Sequence, residues 1–502
     1  MNSDFPSRSG SGTDRRAGWR KSQGGASTGG KKPDRKNNDR GTRRTLIQPA
    51  RRIAFEVIHA VTESNAYANL LLPVKLARAG LGGADAALAT ELTYGTLRQQ
   101  GYYDRVIEIA AGRSTTEIDP PVLDVLRLAV HQLLSMRVAA HAAVDEAVSL
   151  AREVGTRSST GFVNCVLRAI TRVPALEWRE RVIGEQKSDD DRLAAEFSHH
   201  AWIVRAFRKA LESEGRGDEL ALLLEADNVA PRVSIVAVPG LADRSELDGA
   251  DPGLLSPVGA LNPGGDPARW IAVQEGRARV QDEGSQVAAL ALSRARPIRA
   301  GERWLDMCAG PGGKAVLLAA EALAGGATLV ANEVVPARAG LVRNALAVFS
   351  EPPQVLEQDA RTLAEHVAGS VDRILLDAPC TGLGALRRRP EARWRKQPKD
   401  IPELTALQRE LVSAAATALA PGGILAYVTC SPHRAETTAV VAHAVGTAGL
   451  VPLDTPAVLH GVVVDGAKLG ASSHVQLWPH VHGTDAMFIA LLQKPPAEGT
   501  GL

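Results

Sequence analysis

The chain has 502 residues, 45% of them hydrophobic and 4% aromatic, with 58 Lys and Arg against 56 Asp and Glu. That length predicts about three domains with sizeable cores. No apolar run approaches the ~20 residues of a membrane span, and the first residues lack a signal peptide's apolar stretch.

Cys165, Cys308, Cys380 and Cys430 are too few and too far apart for a disulfide framework, and none forms a C-x-x-C pair suited to zinc. The expectation is a cytoplasmic protein with reduced thiols, no metal and no membrane. Residues 1–44 hold twelve Lys and Arg against four Asp, a net of +8 that leaves −6 for the remainder. With little to bury, this segment reads as a disordered basic tail. Salt-sensitive contact with nucleic-acid phosphates and simple solubilisation are equally open roles for it.

Residues 45–175 read as an all-α bundle of five to seven helices. Ala54, Val57, Ile58 and Val61 follow the spacing of one buried helix face. Asp119-Pro120-Pro121 is a helix start, and Val122, Val125, Leu126, Ala129, Val130 and Leu133 continue it as a stripe. Val144, Ala147, Val148 and Ala151 repeat the pattern, as do Val163, Val166, Leu167 and Ile170. Cys165 lies in this bundle and reads as structural.

Residues 176–283 read as a small connecting α/β domain. Helical segments at 201–226 give way to strand-like runs at 232–238 and 269–274, with Pro and Gly dense between them. From 284 to 495 strands and helices alternate, the signature of a Rossmann-like doubly wound α/β sheet. Strands are predicted at 303–308, 328–333, 354–359, 372–377 and 424–429, and a helix at 403–419. A pair at 474–478 and 487–493 would close one edge antiparallel, and 496–502 form a short tail.

The first of these strands runs into DMCAGPGGKA (306–315), where Gly310, Gly312 and Gly313 let the backbone turn and approach a ligand. The second ends in Asn332-Glu333 and the third in Gln358-Asp359, so two carboxylates meet the same sheet edge. The loop lacks the G-x-G-x-x-G spacing of a pyrophosphate site and the Ser or Thr of a Walker A motif. A nucleoside-type cofactor such as S-adenosylmethionine fits this set.

The fourth strand leads through RILLDAPCTGLG (373–384), and the fifth ends in Thr429-Cys430-Ser431. Pro379 and Gly382 place Cys380 on a turn at the strand's carboxyl end. In the parallel order 3-2-1-4-5 this brings Cys380, Cys430 and the glycine loop to one edge. Two converging thiols suit chemistry at carbon 5 of a pyrimidine. That carbon is a poor nucleophile until a thiolate adds at carbon 6.

RRIAFEVIHAV, ELTYGTLR (91–98), AVDEAVSLA (143–151) and GFVNCVLR (161–168) resemble the NusB-type RNA-binding domain. DMCAGPGGKA, LDAPCTGLG and VTCS resemble motifs of the RNA cytosine-C5 methyltransferases of the Sun/NOL/NOP family. QDEGSQ (281–286) and LRRRPEARWR (386–395) add to that likeness. The resemblance implies S-adenosylmethionine-dependent methylation of a cytosine in 16S ribosomal RNA by a monomer. Cys430 would be the nucleophile, Cys380 would help release product, Asp377 would contact the cytosine and Lys314 would support the site. The cofactor would lie on Cys308, Ala309, Gly310, Pro311, Gly312, Gly313, Lys314 and Asp377, with Glu333 on the ribose, Asp359 near the adenine and Arg338 nearby.

From its place in the first strand, Cys308 reads as packing. Arg387–Arg389, Arg393, Arg395 and Lys396, with Trp394, read as a surface for RNA phosphates and bases. The chain departs from the family pattern at Gly310 and Ala315, at Asp485-Ala486-Met487-Phe488 and at Ser198-His199-His200. Alternatives are the same chemistry on transfer RNA or another ribosomal site, and a non-catalytic RNA-binding protein led by the helical domain.

Overall fold

The apolar stripes of the first third become seven helices in a computed structural model that describes residues 47–497; the basic segment 1–44 and residues 498–502 lie outside the described residues. They are α1 (Pro49–Ser64), α2 (Ala68–Arg78), α3 (Gly83–Arg98), α4 (Gln100–Ala111), α5 (Pro120–Leu134), α6 (Ala140–Val154) and α7 (Arg157–Thr171). Pro120 opens α5, where its missing N–H costs nothing, and Val125, Leu126, Ala129 and Val130 are fully buried along it. Cys165 corrects the sequence reading: it is exposed on α7, outside the buried stripe of Val163, Val166, Leu167 and Ile170. The helical core runs on into α8 (Ala175–Gly184), whose buried Trp178 donates its indole N–H to the Ile170 carbonyl at 3.0 Å.

Three further helices, α9 (Asp189–Glu196), α10 (Ala201–Glu212) and α11 (Leu220–Ala226), share a core with Leu383, Leu386, Trp478 and Ala486 from far along the chain. Next comes an antiparallel sheet of order β2-β3-β1-β4, formed by β1 (Ser234–Ala237), β2 (Asp251–Pro252), β3 (Gly259–Leu261) and β4 (Ala278–Val280). The strand expected at 269–274 is instead the short helix α12 (Ile271–Gln274). The Asp266 side chain caps the preceding turn by accepting from the Ala268 N–H, and Pro267 starts that turn. Trp270 is buried here through packing, with its N–H on the Asp248 carbonyl, and not through strand pairing.

After α13 (Glu283–Ser293) comes the large sheet, made of β5 (Arg303–Asp306), β6 (Thr328–Asn332), β7 (Gln354–Leu356), β8 (Val371–Asp377), β9 (Leu419–Thr429), β10 (Val451–Pro452), β11 (Val475–Gln476) and β12 (Phe488–Gln493). Its order is β10-β12-β9-β8-β5-β6-β7, with the five strands from β9 to β7 parallel and β12 antiparallel to β9. This is the predicted Rossmann-like order with an antiparallel edge. On β8, Leu375 faces one core while Ile374 and Leu376 face the other, so both sides of the strand are buried.

Arg373 also lies within β8 and is fully buried. Its guanidinium donates to Glu302 at 2.8 Å and to the carbonyls of Leu292, Ser293, Arg296 and Pro297, and it stacks on Trp304 at 4.7 Å. It ties the start of the strand to the segment after α13. Helices α14 (Gly313–Ala324), α15 (Pro336–Leu346), α16 (Ala360–His366), α17 (Ala392–Arg395), α18 (Ile401–Ala418) and α19 (Thr438–Gly446) follow in the strand connections. No helix among the described residues is long and apolar enough to cross a membrane.

Candidate active site

Strands β8 and β9 end at the predicted residues, but β5, β6 and β7 stop one to three residues earlier than the sequence suggests, and the difference moves side chains from strand to loop. β5 ends at Asp306, so Cys308 is in the loop and not in the strand. Asn332 ties the strand ends together by donating to the carbonyls of Met307 and Gln358 and accepting from the Gln358 N–H. Cys308 still packs partly against the core, and burial pushes its thiol upward, yet it also lines the cleft at this edge.

Two glycines of the loop need the space they have. A Cβ on Gly310 would lie 2.2 Å from a Glu333 oxygen, and one on Gly312, at φ +105, would lie 2.7 Å from Ala345 Cβ. Glu333 is buried under the loop. It accepts from the N–H groups of Gly310 at 3.1 Å and Val335 at 3.0 Å, and Arg338 lies 3.2 Å away. Arg338 also donates to the Gly310 carbonyl. Asp359 is not brought to this group: it caps α16, chelates the Arg361 guanidinium and does not line the cleft.

The two cysteines do converge. Beyond β8 the turn at Gly382 takes φ +73, and Gly384 donates its N–H to the Cys430 carbonyl while accepting from Ala486. A Cβ on Gly384 would strike that same Ala486 backbone at 2.1 Å, so only glycine permits the approach. Cys380 Sγ and Cys430 Sγ are 3.5 Å apart. Hydrogen bonding from Cys380 holds the Cys430 thiol below its ordinary range, with Lys314 and Arg389 assisting against burial and Asp377. The same bond, with burial, pushes Cys380 well above.

Lys314 Nζ donates to Asp377 Oδ2 at 2.8 Å. Burial pulls Lys314 down, but Asp377, Cys430 and Asp306 outweigh it and leave its pKa raised.

Sequence reasoning missed two carboxylates. Asp306 is 1% exposed and lines the cleft; neither oxygen has a well-formed partner, the Cys308 amide giving weak support. Burial first, then the charge of Asp377, pushes its pKa up to about 8. Glu436, fully buried, accepts from the Thr381 N–H and hydroxyl, the Ser431 hydroxyl and the Gln408 amide. Asp306 opens the glycine motif and was open to notice. Glu436 is recognisable only through Thr381 and Gln408, which lie far off in the chain.

The basic run divides in two. Arg393 is fully buried and donates to the carbonyls of Arg98, Ser198 and Asp227 and to Asn228. Arg387 is buried as well, with one donor on the Gly483 carbonyl, and Trp394 packs on His200 at 4.6 Å. These residues clamp the helical region to the sheet region and are not an RNA surface. Arg388, Arg389, Arg395 and Lys396 line a cleft of about 530 Å³ that also holds both thiols, Asp306, Lys314 and Asp377. Arg388 also pairs with Asp485 and Asp282.

Residues 295–493 match the family model described as 16S rRNA methyltransferase RsmB/F, and residues 48–172 match that of the NusB family. Over 405 residues the chain is 32% identical to the ribosomal RNA small subunit methyltransferase B of Erwinia tasmaniensis, covering 76% of this chain and 86% of that one. The chain belongs to the RsmB/F family of 16S rRNA methyltransferases. It is also 48% identical over 459 residues to the methyltransferase-named protein Rv1407 of Mycobacterium tuberculosis, covering 91% of this chain and 98% of that protein. The crystal structure of PH0851 aligns with a TM-score of 0.72 at 25% identity over 89% of this chain and 99% of that one.

As a member of this family the protein is an S-adenosylmethionine-dependent RNA methyltransferase. Its residues fit that donor. The glycine loop lines the cleft at Gly310 and Gly313, and the unpaired Asp306 carboxyl beside it suits a cationic ligand. Among the described residues no cluster of His, Cys, Asp and Glu is placed to hold a metal ion.

Proposed function

We propose that the protein methylates carbon 5 of a cytosine in 16S ribosomal RNA through a covalent bond between Cys430 and carbon 6. The observation that carries this reading is the pair of thiols 3.5 Å apart at neighbouring strand ends, beside the Lys314–Asp377 pair. Their opposite pKa shifts favour a division of labour, with Cys430 as the thiolate and Cys380 keeping its proton.

In this reading the Cys430 thiolate adds to carbon 6, the C5=C6 electron pair moves toward carbon 5 and the ring nitrogen, and Asp377 donates to that nitrogen a proton passed to it by Lys314. Bound S-adenosylmethionine supplies the electrophilic methyl group. The glycine loop, Lys314 and Asp377 orient it, with Glu333 toward the ribose and Arg338 beside the loop. Asp359 could reach the adenine only by releasing Arg361. Carbon 5 then gives its proton to a solvent base, the C–H pair re-forms the C5=C6 double bond, and the C6–S electron pair returns to Cys430. Cys380 assists this elimination.

Bisulfite sequencing of 16S RNA from cells with and without the protein tests the proposal. One cytosine should lose protection when the protein is absent. If no 16S position changes, the target is wrong; a change in transfer RNA would keep the chemistry and move the substrate.

A further inference from the structure

Tyr67 lies between α1 and α2, in the NusB-like region, yet its ring lines the same cleft as Cys380 and Cys430. It is 51% exposed, so its ring is open to a ligand in that cleft. Arg395 holds its guanidinium 4.9 Å from the ring centroid and donates to the carbonyls of Ala66 and Val61. Ring, guanidinium and turn are therefore braced as one unit. The clamp of Arg393 on Arg98, with Arg98 returning hydrogen bonds to the Arg387 carbonyl, fixes that unit against the sheet region.

Arg389 and Lys396 line the same cleft, cations that favour a phosphate backbone. A cytosine presented to two half-buried thiols at the floor of a cleft must leave its stack, which leaves its neighbour without a partner. Aromatic rings and Arg planes are the surfaces on which proteins stack unpaired bases. Building on the cytosine reading above, we propose that Tyr67, backed by Arg395, stacks on a nucleobase adjacent to the modified cytosine. The helical region thus forms one wall of the substrate cleft and does more than tether RNA.

Tyr67→Phe, Tyr67→Leu and Tyr67→Ala test this, with a 16S transcript spanning the mapped cytosine. Direct RNA binding and methyl incorporation are measured in parallel, and thermal melting checks folding. Tyr67→Ala should weaken RNA binding and raise KM roughly 5- to 150-fold, a stack of about 1–3 kcal/mol at 1.4 kcal/mol per decade. Tyr67→Phe should match wild type and Tyr67→Leu should fall near Tyr67→Ala, with kcat and the S-adenosylmethionine Kd unchanged in all three. The defect should persist at high salt, since a stack releases no counterions.

If wild type methylates the cytosine and Tyr67→Ala binds RNA normally, or if Leu serves as well as Phe, the stacking proposal is overturned. If RNA binding depends on the ring while no cytosine is methylated, the cytosine reading fails and the Tyr67 contact stands.

Discussion

The Glu436 carboxylate accepts the backbone N–H of Thr381 at 2.8 Å, reaching across from the end of one catalytic strand to the loop of the other. Its second oxygen takes the Ser431 hydroxyl at 2.6 Å, and the Thr381 and Ser431 hydroxyls lie 3.0 Å apart. Thr381 follows Cys380 and Ser431 follows Cys430, so one buried carboxylate sets the register of both thiols.

Removing that carboxylate should therefore cost both stability and chemistry. Glu436→Ala strands the Thr381 N–H, while the two hydroxyls keep each other and Gln408 keeps the Pro379 carbonyl, a loss of about 1–3 kcal/mol. Glu436→Gln keeps the volume and one acceptor oxygen, so it should fold with a smaller loss, while single-turnover methylation falls ~10-fold or more as the thiols lose register. A Gln variant with wild-type turnover would show that Glu436 only supports the fold.

The paired cysteines should separate by the complex each variant leaves behind. Cys430→Ala removes the attacking thiolate, and a loss of ~10⁴-fold corresponds to ~5.5 kcal/mol of barrier. Cys380→Ala should still attack and methylate but release slowly, leaving protein bound to labelled RNA on a denaturing gel. An adduct from Cys430→Ala would reverse the roles, and full activity in both variants would end the covalent reading.

Arg373 gives a prediction about the fold alone. Arg373→Met preserves length and apolar bulk but leaves several carbonyls without their donor and the buried Glu302 with the Trp304 N–H and a distant Arg296 in place of its close cation. Breaking a buried pair from one side costs about 3–5 kcal/mol. Chemical denaturation should show a lower midpoint with an unchanged slope. A variant as stable as wild type would mean that Glu302 finds compensation from Arg296, 3.4 Å away.

Much of this architecture is written locally. Ile374-Leu375-Leu376 is buried on both faces and reads as a central strand without further information, and the strand order follows from the alternation. The convergence of Cys380 and Cys430 follows in turn, because both cap neighbouring strands. Other features depend on distant partners. An arginine run looks the same whether it meets RNA or, like Arg393, donates to a carbonyl nearly 300 residues back. Cys165 was legible in principle, since it is offset from the stripe of Val163 and Val166. Trp270 was not, because a buried aromatic beside alternating apolar residues suits a strand as well as a capped turn.

Asp306 supplies the last prediction, through its proton. An ordinary Asp titrates near 3.9, whereas burial and Asp377 raise Asp306 to about 8 in the folded protein. The fold therefore holds this proton more tightly than the unfolded chain does. The stability this contributes is full below about pH 4 and is lost as pH rises toward 8. Asp306→Asn, which cannot ionise, should flatten that part of the stability profile and stabilise the ligand-free protein near pH 8. A cationic ligand reverses the preference, because it favours the carboxylate. S-adenosylmethionine should then bind wild type more tightly as pH rises from 6 to 8, by at most tenfold per unit, and level off above. Titration calorimetry in two buffers of different ionisation heat counts the protons released. Close to one more should leave at pH 6.5 than at pH 9.5, by comparison with Asp306→Asn, which retains every other titrating group. If the two proteins release the same number of protons at both pH values, Asp306 does not face the bound cofactor.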